Sequence, residues 1–307
     1  MTIATITLNP AVDKSTSVDR VVPEKKLRCE EPIWEPGGGG INVSRVLHRL
    51  GAAPVTIITS GGPIGHLLET LLQHEGVSYQ AIATQAWTRE SLAVVETTTG
   101  RQFRFGLPGP TLQEAEWKST FQILDQLDPM PAFLVASGSL PPGMPEDYYA
   151  RVAEWAHGRG VRLVLDTSGP PLSLALEAGV YLVKPNLGEL AALHGKETIT
   201  GREQETLAQS LIAEGKAELV AISLGARGAM LAHKNGLEYA APPTVIAKST
   251  IGAGDSMVAG LVWALSQNLP LPQVLRYGVA CGTATTMRPG TGLCHKEDVE
   301  LLLAWME

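Results

Sequence analysis

The chain has 307 residues, a formal net charge of −7, 44% hydrophobic and 18% charged residues. That length accommodates one large α/β domain or one domain with a small appendage. The acidic balance argues against a general nucleic-acid or membrane-surface binder, both of which need a basic face, so an anionic substrate has to be held by a local basic cluster.

The three cysteines, Cys29, Cys281 and Cys294, are scattered, with no CxxC or Cys/His ligand spacing, and indicate neither a disulfide framework nor a zinc site. Met1 to Thr5 carry no basic segment leading into a long apolar one, and no apolar run is long enough to span a bilayer. The expected location is the cytoplasm.

Ile3 to Leu8 is a short β-branched run ending in Asn9-Pro10-Ala11-Val12-Asp13, which predicts a strand followed by a turn. Asp13 either caps that turn or presents a carboxylate to sugar hydroxyls. Ser15 to Trp34 is mixed and Pro-punctuated, with Lys25, Lys26 and Arg28 close together, and reads as exposed strands with a solvated edge. Gly37 to Gly40 lead into Ile41-Asn42-Val43 and then Val46, Leu47 and Leu50 at helical spacing, with Gly51 as C-cap. Glycines at such a helix start imply a hinge or a ligand that approaches the backbone closely. The spacing is not a dinucleotide-binding fingerprint, because Val43 stands where the third glycine should fall, and no Walker A sequence occurs.

Val55 to Thr59 predicts a strand and Gly65 to Glu75 a helix. Ser91 to Glu96 and Gln102 to Phe105 alternate around Thr97-Thr98-Thr99-Gly100, predicting a β-hairpin. Together with the early strands, these insertions at about 14–35 and 88–107 predict a lid on a single α/β domain spanning 1–307. Arg89, just before the hairpin, is either a surface charge or a guanidinium brought near Lys26 and Arg28.

From Phe133 onward, short apolar runs (Phe133 to Ala136, Val161 to Leu165, Tyr181 to Val183, Glu218 to Leu224, Ala229 to Ala232) alternate with helical patterns at Pro145 to His157, Leu172 to Ala178 and from about Leu187. This predicts a doubly wound, mostly parallel sheet flanked by helices, with ligands at the carboxyl ends of the strands. Four polar or glycine-rich turns fall at those ends: Ser137-Gly138-Ser139, Asp166 to Gly169, Lys184-Pro185-Asn186 and Ser223-Leu224-Gly225. Asn186 and Glu189 share one face of a helix start, where they either complement the helix dipole or hold Mg²⁺ against phosphates. Late in the chain, Ser249 to Ser256 runs into the apolar segment Met257 to Leu265, and a last helical region follows from Leu271 to about Thr286. Gly252, Ala253 and Gly254 at a helix N-terminus make an anion site, and Asp255 beside it is either an N-cap or a base for an attacking hydroxyl.

Three motifs together resemble the ribokinase-like, PfkB-type carbohydrate kinases over the whole chain: Pro36 to Val43, Lys184-Pro185-Asn186-x-x-Glu189, and Thr250 to Asp255. The stretches Pro23 to Cys29, Trp87-Thr88-Arg89 and Val135 to Gly143 resemble the members of that family that act on fructose 6-phosphate. The resemblance implies a ribokinase-like sheet with a small β-lid, and transfer of a phosphoryl group from ATP to the sugar 1-hydroxyl. In that reading Asp255 is the base, and Gly252, Ala253 and Gly254 stabilise the transferring group. Asp13, Gly38, Gly39 and Asn42 hold the sugar, while Lys26, Arg28, Arg89 and Ser139 hold its phosphate. Lys184, Asn186, Ser223 and Gly225 face ATP, and Glu189, with Asn186, organises Mg²⁺, directly or through water. The lid strands also imply a homodimer.

Two departures stand out. Arg288 and Gly292 replace an Asn and an Arg of the pattern near the chain end, which weighs against activation by K⁺, and Ala247 replaces a serine near the nucleotide. Kinases for tagatose 6-phosphate and for fructose 1-phosphate are the enzymatic alternatives, the latter disfavoured by Gly39 where a lysine is expected. A sugar-phosphate or nucleotide sensor on the same fold is the non-enzymatic one.

Overall fold

The structure is a computed structural model describing residues 1–306. Its strands, in chain order, are β1 (Ile3–Thr7), β2 (Ala11–Val18), β3 (Ile33–Gly37), β4 (Val55–Ser60), β5 (Tyr79–Ala83), β6 (Arg89–Glu96), β7 (Gln102–Gly106), β8 (Phe133–Ser137), β9 (Arg162–Asp166), β10 (Val180–Val183), β11 (Ala217–Ser223), β12 (Ala229–His233) and β13 (Gly236–Ala240). The helices are α1 (Gly39–Arg49), α2 (Gly62–His74), α3 (Glu114–Asp125), α4 (Tyr148–His157), α5 (Pro170–Ala178), α6 (Leu187–Leu193), α7 (Gly201–Ala213), α8 (Ala253–Ser266), α9 (Leu271–Thr286) and α10 (Lys296–Trp305).

Nine strands make one sheet in the order β13-β12-β11-β10-β9-β8-β1-β4-β5, with all strands running the same way except β12, which pairs antiparallel with both β11 and β13 near one edge. Strand residues buried on both faces explain the continuous apolar runs in the sequence. Leu134, Ala136, Leu163 and Leu165 pack toward α3 to α7, whereas Phe133, Val135 and Val164 pack toward α1, α8, α9 and α10. The doubly wound architecture is as the sequence predicts.

A second sheet has the order β3-β2-β6-β7, with β2 and β6 parallel and the outer pairs antiparallel. Here the sequence reading needs correction. Only short parts of 14–35 are strand, because residues 19–32 form an irregular segment that is exposed for most of its length. β2 begins at Ala11 and β6 at Arg89, so Asp13 is a strand residue rather than a turn residue, Arg89 is the first residue of the hairpin strand rather than just before it, and the parallel pairing of the two strands sets Ala11 against Arg89. Elements with narrow apolar stripes escaped prediction altogether: β5, α3, α7, β13 and α10 each bury only a few side chains.

The close crossing of α8 and α9 carries the site. A Cβ on Gly260 would lie 2.6 Å from the Tyr277 carbonyl oxygen and 2.8 Å from Cys281 Sγ, and one on Gly278 would lie 2.8 Å from Leu261. Gly260→Ala should therefore overpack this crossing and destabilise the protein by about 1–3 kcal/mol. Urea unfolding should show a lower midpoint with an unchanged slope; an unchanged midpoint would mean that the crossing is loose.

Candidate active site

The site is built on the turn before α8. At Gly252 the backbone enters the left-handed region with φ 73°, and a Cβ there would also sit 2.6 Å from Leu293. Hydrogen bonds pin the turn: Ser249 Oγ donates to the Gly290 carbonyl at 2.6 Å, Ile251 N–H donates to Ser249 Oγ at 3.2 Å, and Lys248 N–H donates to the Thr286 carbonyl at 2.7 Å. The helix then starts at Ala253, and its first amides lack intrahelical partners.

Two cavities flank this turn. The first, about 550 Å³, lies under the lid sheet and is lined by Gly252 and Asp255 together with Asp13, Gly38, Gly39, Asn42, Arg89 and Ser139. The second, about 470 Å³ and mostly apolar, is lined by Ala253 and Gly254 together with Ser223, Gly225, the Pro242 to Val245 segment, Ala247 and the α9 residues Val279, Gly282 and Thr286. One helix N-terminus thus borders both spaces.

Asp255 accepts a 2.8 Å hydrogen bond from Asn42 Nδ2. Its pKa is pushed up to about 6, first by burial and then by Asp166, against the hydrogen bond from Asn42 and the charge of Lys184. Lys184 is buried and pairs with Asp166 at 3.1 Å. Burial works against its charge, but Asp166, with Glu189 and Asp255, raises its pKa and keeps it cationic. The Lys184 Nζ lies beside Gly254, 3.6 Å from where a Cβ would be. Asp13 is likewise raised to about 6, chiefly by burial, with Arg89, Arg45 and Arg104 opposing.

Arg89 and Arg104 bring positive charge to the first cavity. Arg89 Nε donates to Asn9 Oδ1 at 2.9 Å and its Nη1 to Ser91 Oγ at 3.1 Å, while Asn9 Nδ2 donates to Ser139 Oγ at 3.0 Å. This relay orients Arg89 and Ser139 on one wall, and Lys14 and Arg104 also line the space. The glycine quartet fits tightly beneath it: a Cβ on Gly39 would strike Ser137 Oγ, and Gly38 has φ +118°.

Some expected residues lie elsewhere. Lys26 and Arg28 stand in the exposed segment between β2 and β3, outside both cavities. Asn186 and Glu189 cap α6 reciprocally, Asn186 Oδ1 accepting from Glu189 N–H at 2.9 Å and Glu189 Oε2 accepting from Asn186 N–H at 2.8 Å. Glu189 also borders the first cavity, whereas Asn186 is exposed. Arg288 pairs with Asp298. Arg104 was missed by sequence reading, although its place two residues from Gly106 on the hairpin strand sets it on the same face of the lid sheet as Asp13.

The match to known proteins agrees with this geometry. Residues 3–298 fit the model of the pfkB family of carbohydrate kinases. The chain belongs to that family. ATP-dependent 6-phosphofructokinase isozyme 2 of Mycobacterium tuberculosis is 44% identical over 298 residues, covering 97% of this chain and 88% of that protein. The crystal structure of phosphofructokinase-2 from Escherichia coli in complex with substrates and products superposes with a TM-score of 0.96 at 39% identity, covering 100% of this chain and 99% of that one. 1-Phosphofructokinase of Bacillus subtilis is 33% identical over 304 residues, covering 98% of this chain and 97% of that protein.

For a pfkB-family kinase with this site, two consequences of the raised carboxyls follow. A base at Asp255 works only when ionised, so kcat should rise with pH through about 6. The stability effect has the opposite sense: a carboxyl whose folded pKa exceeds its unfolded value favours the native state at low pH, and that favour is lost as pH rises from about 4 to about 6. Asp255→Asn should therefore raise Tm at pH 8 while lowering kcat by about 10²- to 10⁴-fold. Turnover near the wild-type rate would remove Asp255 from the chemistry.

Proposed function

We propose that this protein is an ATP-dependent 6-phosphofructokinase that converts fructose 6-phosphate to fructose 1,6-bisphosphate. The observation that carries the reading is the pair of unlike cavities meeting at one helix N-terminus, with a carboxylate on the lid side and amides on the other. The basic wall of Arg89 and Arg104 suits the 6-phosphate, and the guanidinium forks offer bidentate contacts to its oxygens. Asp13 and Asn42 suit the ring hydroxyls, with the glycine quartet letting the sugar lie against backbone. The apolar second cavity suits adenine, and Ser223 and Gly225 at its rim suit the ribose and phosphates.

In the reaction Asp255 accepts the proton of the 1-hydroxyl as that oxygen attacks the γ-phosphorus. The new O–P bond forms, the bond to the bridging oxygen breaks, and ADP leaves with the electron pair. The amides of Gly252 to Gly254 and the Lys184 ammonium meet the charge that spreads over the transferring oxygens, a contribution of roughly 3 kcal/mol per well-placed donor. Mg²⁺ binds through one or two carboxylates and substrate phosphates, a part for which Glu189, at the border of the first cavity, would be the donor, with Asn186 contributing through water. When bound, the ion neutralises charge on the phosphates. The phosphate can rest on this basic wall without Lys26 and Arg28, and Asp255 beside the glycine turn weighs against a sugar-phosphate or nucleotide sensor, since a pure binder needs no general base.

We infer a homodimer formed through the lid. One outward row of that sheet, Trp34-Lys14-Leu92-Phe105, is largely apolar, and Ile33, Phe105 and Leu107 are 61%, 51% and 54% exposed. A partner on this face would also cover the segment bearing Lys26 and Arg28. A cytoplasmic setting accords with three unpaired cysteines, and no helix among the described residues is long and apolar enough to cross a membrane.

Purified protein with ATP and Mg²⁺ should show its highest kcat/KM with fructose 6-phosphate, compared with tagatose 6-phosphate and fructose 1-phosphate. Arg89→Ala should raise KM for that sugar about 10-fold or more while leaving KM for ATP unchanged, the loss of one charge-assisted contact. Preference for fructose 1-phosphate would overturn the substrate assignment, and an unchanged sugar KM would overturn the phosphate's place.

A further inference from the structure

Arg45 of α1 is 1% exposed, among the largest fully buried side chains of the protein, and the reaction as described does not use it. A buried cation is retained only when its partners are fixed around it. Its Nε and Nη2 donate to Glu75 Oε2 and Oε1 at 2.8 and 2.5 Å, just beyond the end of α2. Nη2 also donates to Glu35 Oε1 at 3.0 Å on the lid strand β3, and Nη1 donates to the Pro36 carbonyl at 3.0 Å. Thr291 donates in turn to the other Glu35 oxygen. The guanidinium is therefore clamped from α2, from the lid and from the start of the glycine quartet.

One contact points to the site. Nη1 lies 3.5 Å from Asn42 Oδ1, and the same amide donates through Nδ2 to Asp255 Oδ2 at 2.8 Å. The Asn42 amide is thus held between a cation and a carboxylate. An amide in that position has one favourable orientation, because the flipped form sets its NH₂ against the guanidinium and its carbonyl against the carboxylate.

We propose that Arg45 is a positioning residue: held by Glu75 and Glu35, it fixes the Asn42 amide so that its N–H stays on Asp255. The lid strand is thereby linked to the orientation of the base by consecutive side-chain contacts, Glu35 to Arg45 to Asn42 to Asp255. This rests on Asp255 being that base. The other charged groups facing Asp255 are Asp166 of β9, Lys184 after β10 and Asp13 of β2, none of which this change removes.

The test uses full-length protein and the variants Asn42→Ala, Arg45→Lys and the charge-balanced pair Arg45→Gln with Glu75→Gln, alone and combined with Asn42→Ala. The Asp255 carboxyl titration, followed by ¹³C NMR without ligands, should move up by about half a pH unit or more in the charge-balanced pair, the shift given by loss of one ordinary hydrogen bond. The acid limb of kcat should follow, with kcat about 10-fold lower and KM for ATP unchanged. Arg45→Lys should recover much of both. In the Asn42→Ala background the pair should add nothing further, the signature of action through that amide. An unmoved Asp255 titration with only a lower Tm, or effects that add fully to those of Asn42→Ala, would overturn the proposal. Absence of sugar phosphorylation by the wild-type protein would instead overturn the functional reading, while the titration would still decide the role of Arg45.

Discussion

The active site depends on one backbone constraint: the chain must turn through the left-handed region at Gly252 to start α8 where it does. That turn brings the first residues of α8 to the edge of both cavities, where their amides have no intrahelical partners, and sets Asp255 on the first helical turn beside them. Everything around it keeps the turn in place. Ser249, Lys248 and Ile251 tie it to the end of α9 and to Gly290, and the glycine-mediated crossing of α8 on α9 fixes the helix behind it.

The electrostatics follow from where this turn lies. Three carboxylates, Asp13, Asp166 and Asp255, are gathered in a space that excludes much of the water, and two of them are raised to about 6. Lys184 pairs with Asp166, and Arg89, Arg104 and Arg45 temper Asp13, so the site is neither a bare acidic cluster nor a simple basic one. Each carboxylate of the site has a cation set against it, Arg89 and Arg104 beside Asp13 and Lys184 beside Asp166. The cost is native stability at neutral pH, a trade that is common where a base has to be tuned.

How much of this was legible in the sequence varied with how local the cause was. Gly252 to Asp255 and the Gly37 to Gly40 run were readable because their conformation is set by a few adjacent residues. The sheet was readable because strands buried on both faces leave unbroken apolar runs. The lid was harder: β2 pairs in parallel with β6, a partner far away in sequence, so Asp13 read as a turn residue and nothing local set Arg89 against Ala11. Lys26 and Arg28 drew attention by density of charge, which says nothing about where an exposed segment lies. Arg45 was invisible, since an arginine on an amphipathic helix reads as solvent-facing and its partners Glu35 and Glu75 meet it only in the folded chain. Asn186 and Glu189 show the reverse case, where a reciprocal helix cap and a role at the phosphates share one spacing.

The most direct measurement is a crystal structure of the ternary complex with fructose 6-phosphate and a non-hydrolysable ATP analogue. The sugar 1-hydroxyl should lie within hydrogen-bond distance of Asp255, with the 6-phosphate on Arg89 and the γ-phosphate over the amides of Gly252 to Gly254. A sugar bound with its phosphate toward Asp255, or a nucleotide in the cavity beneath the lid, would contradict the division of the site by the α8 turn.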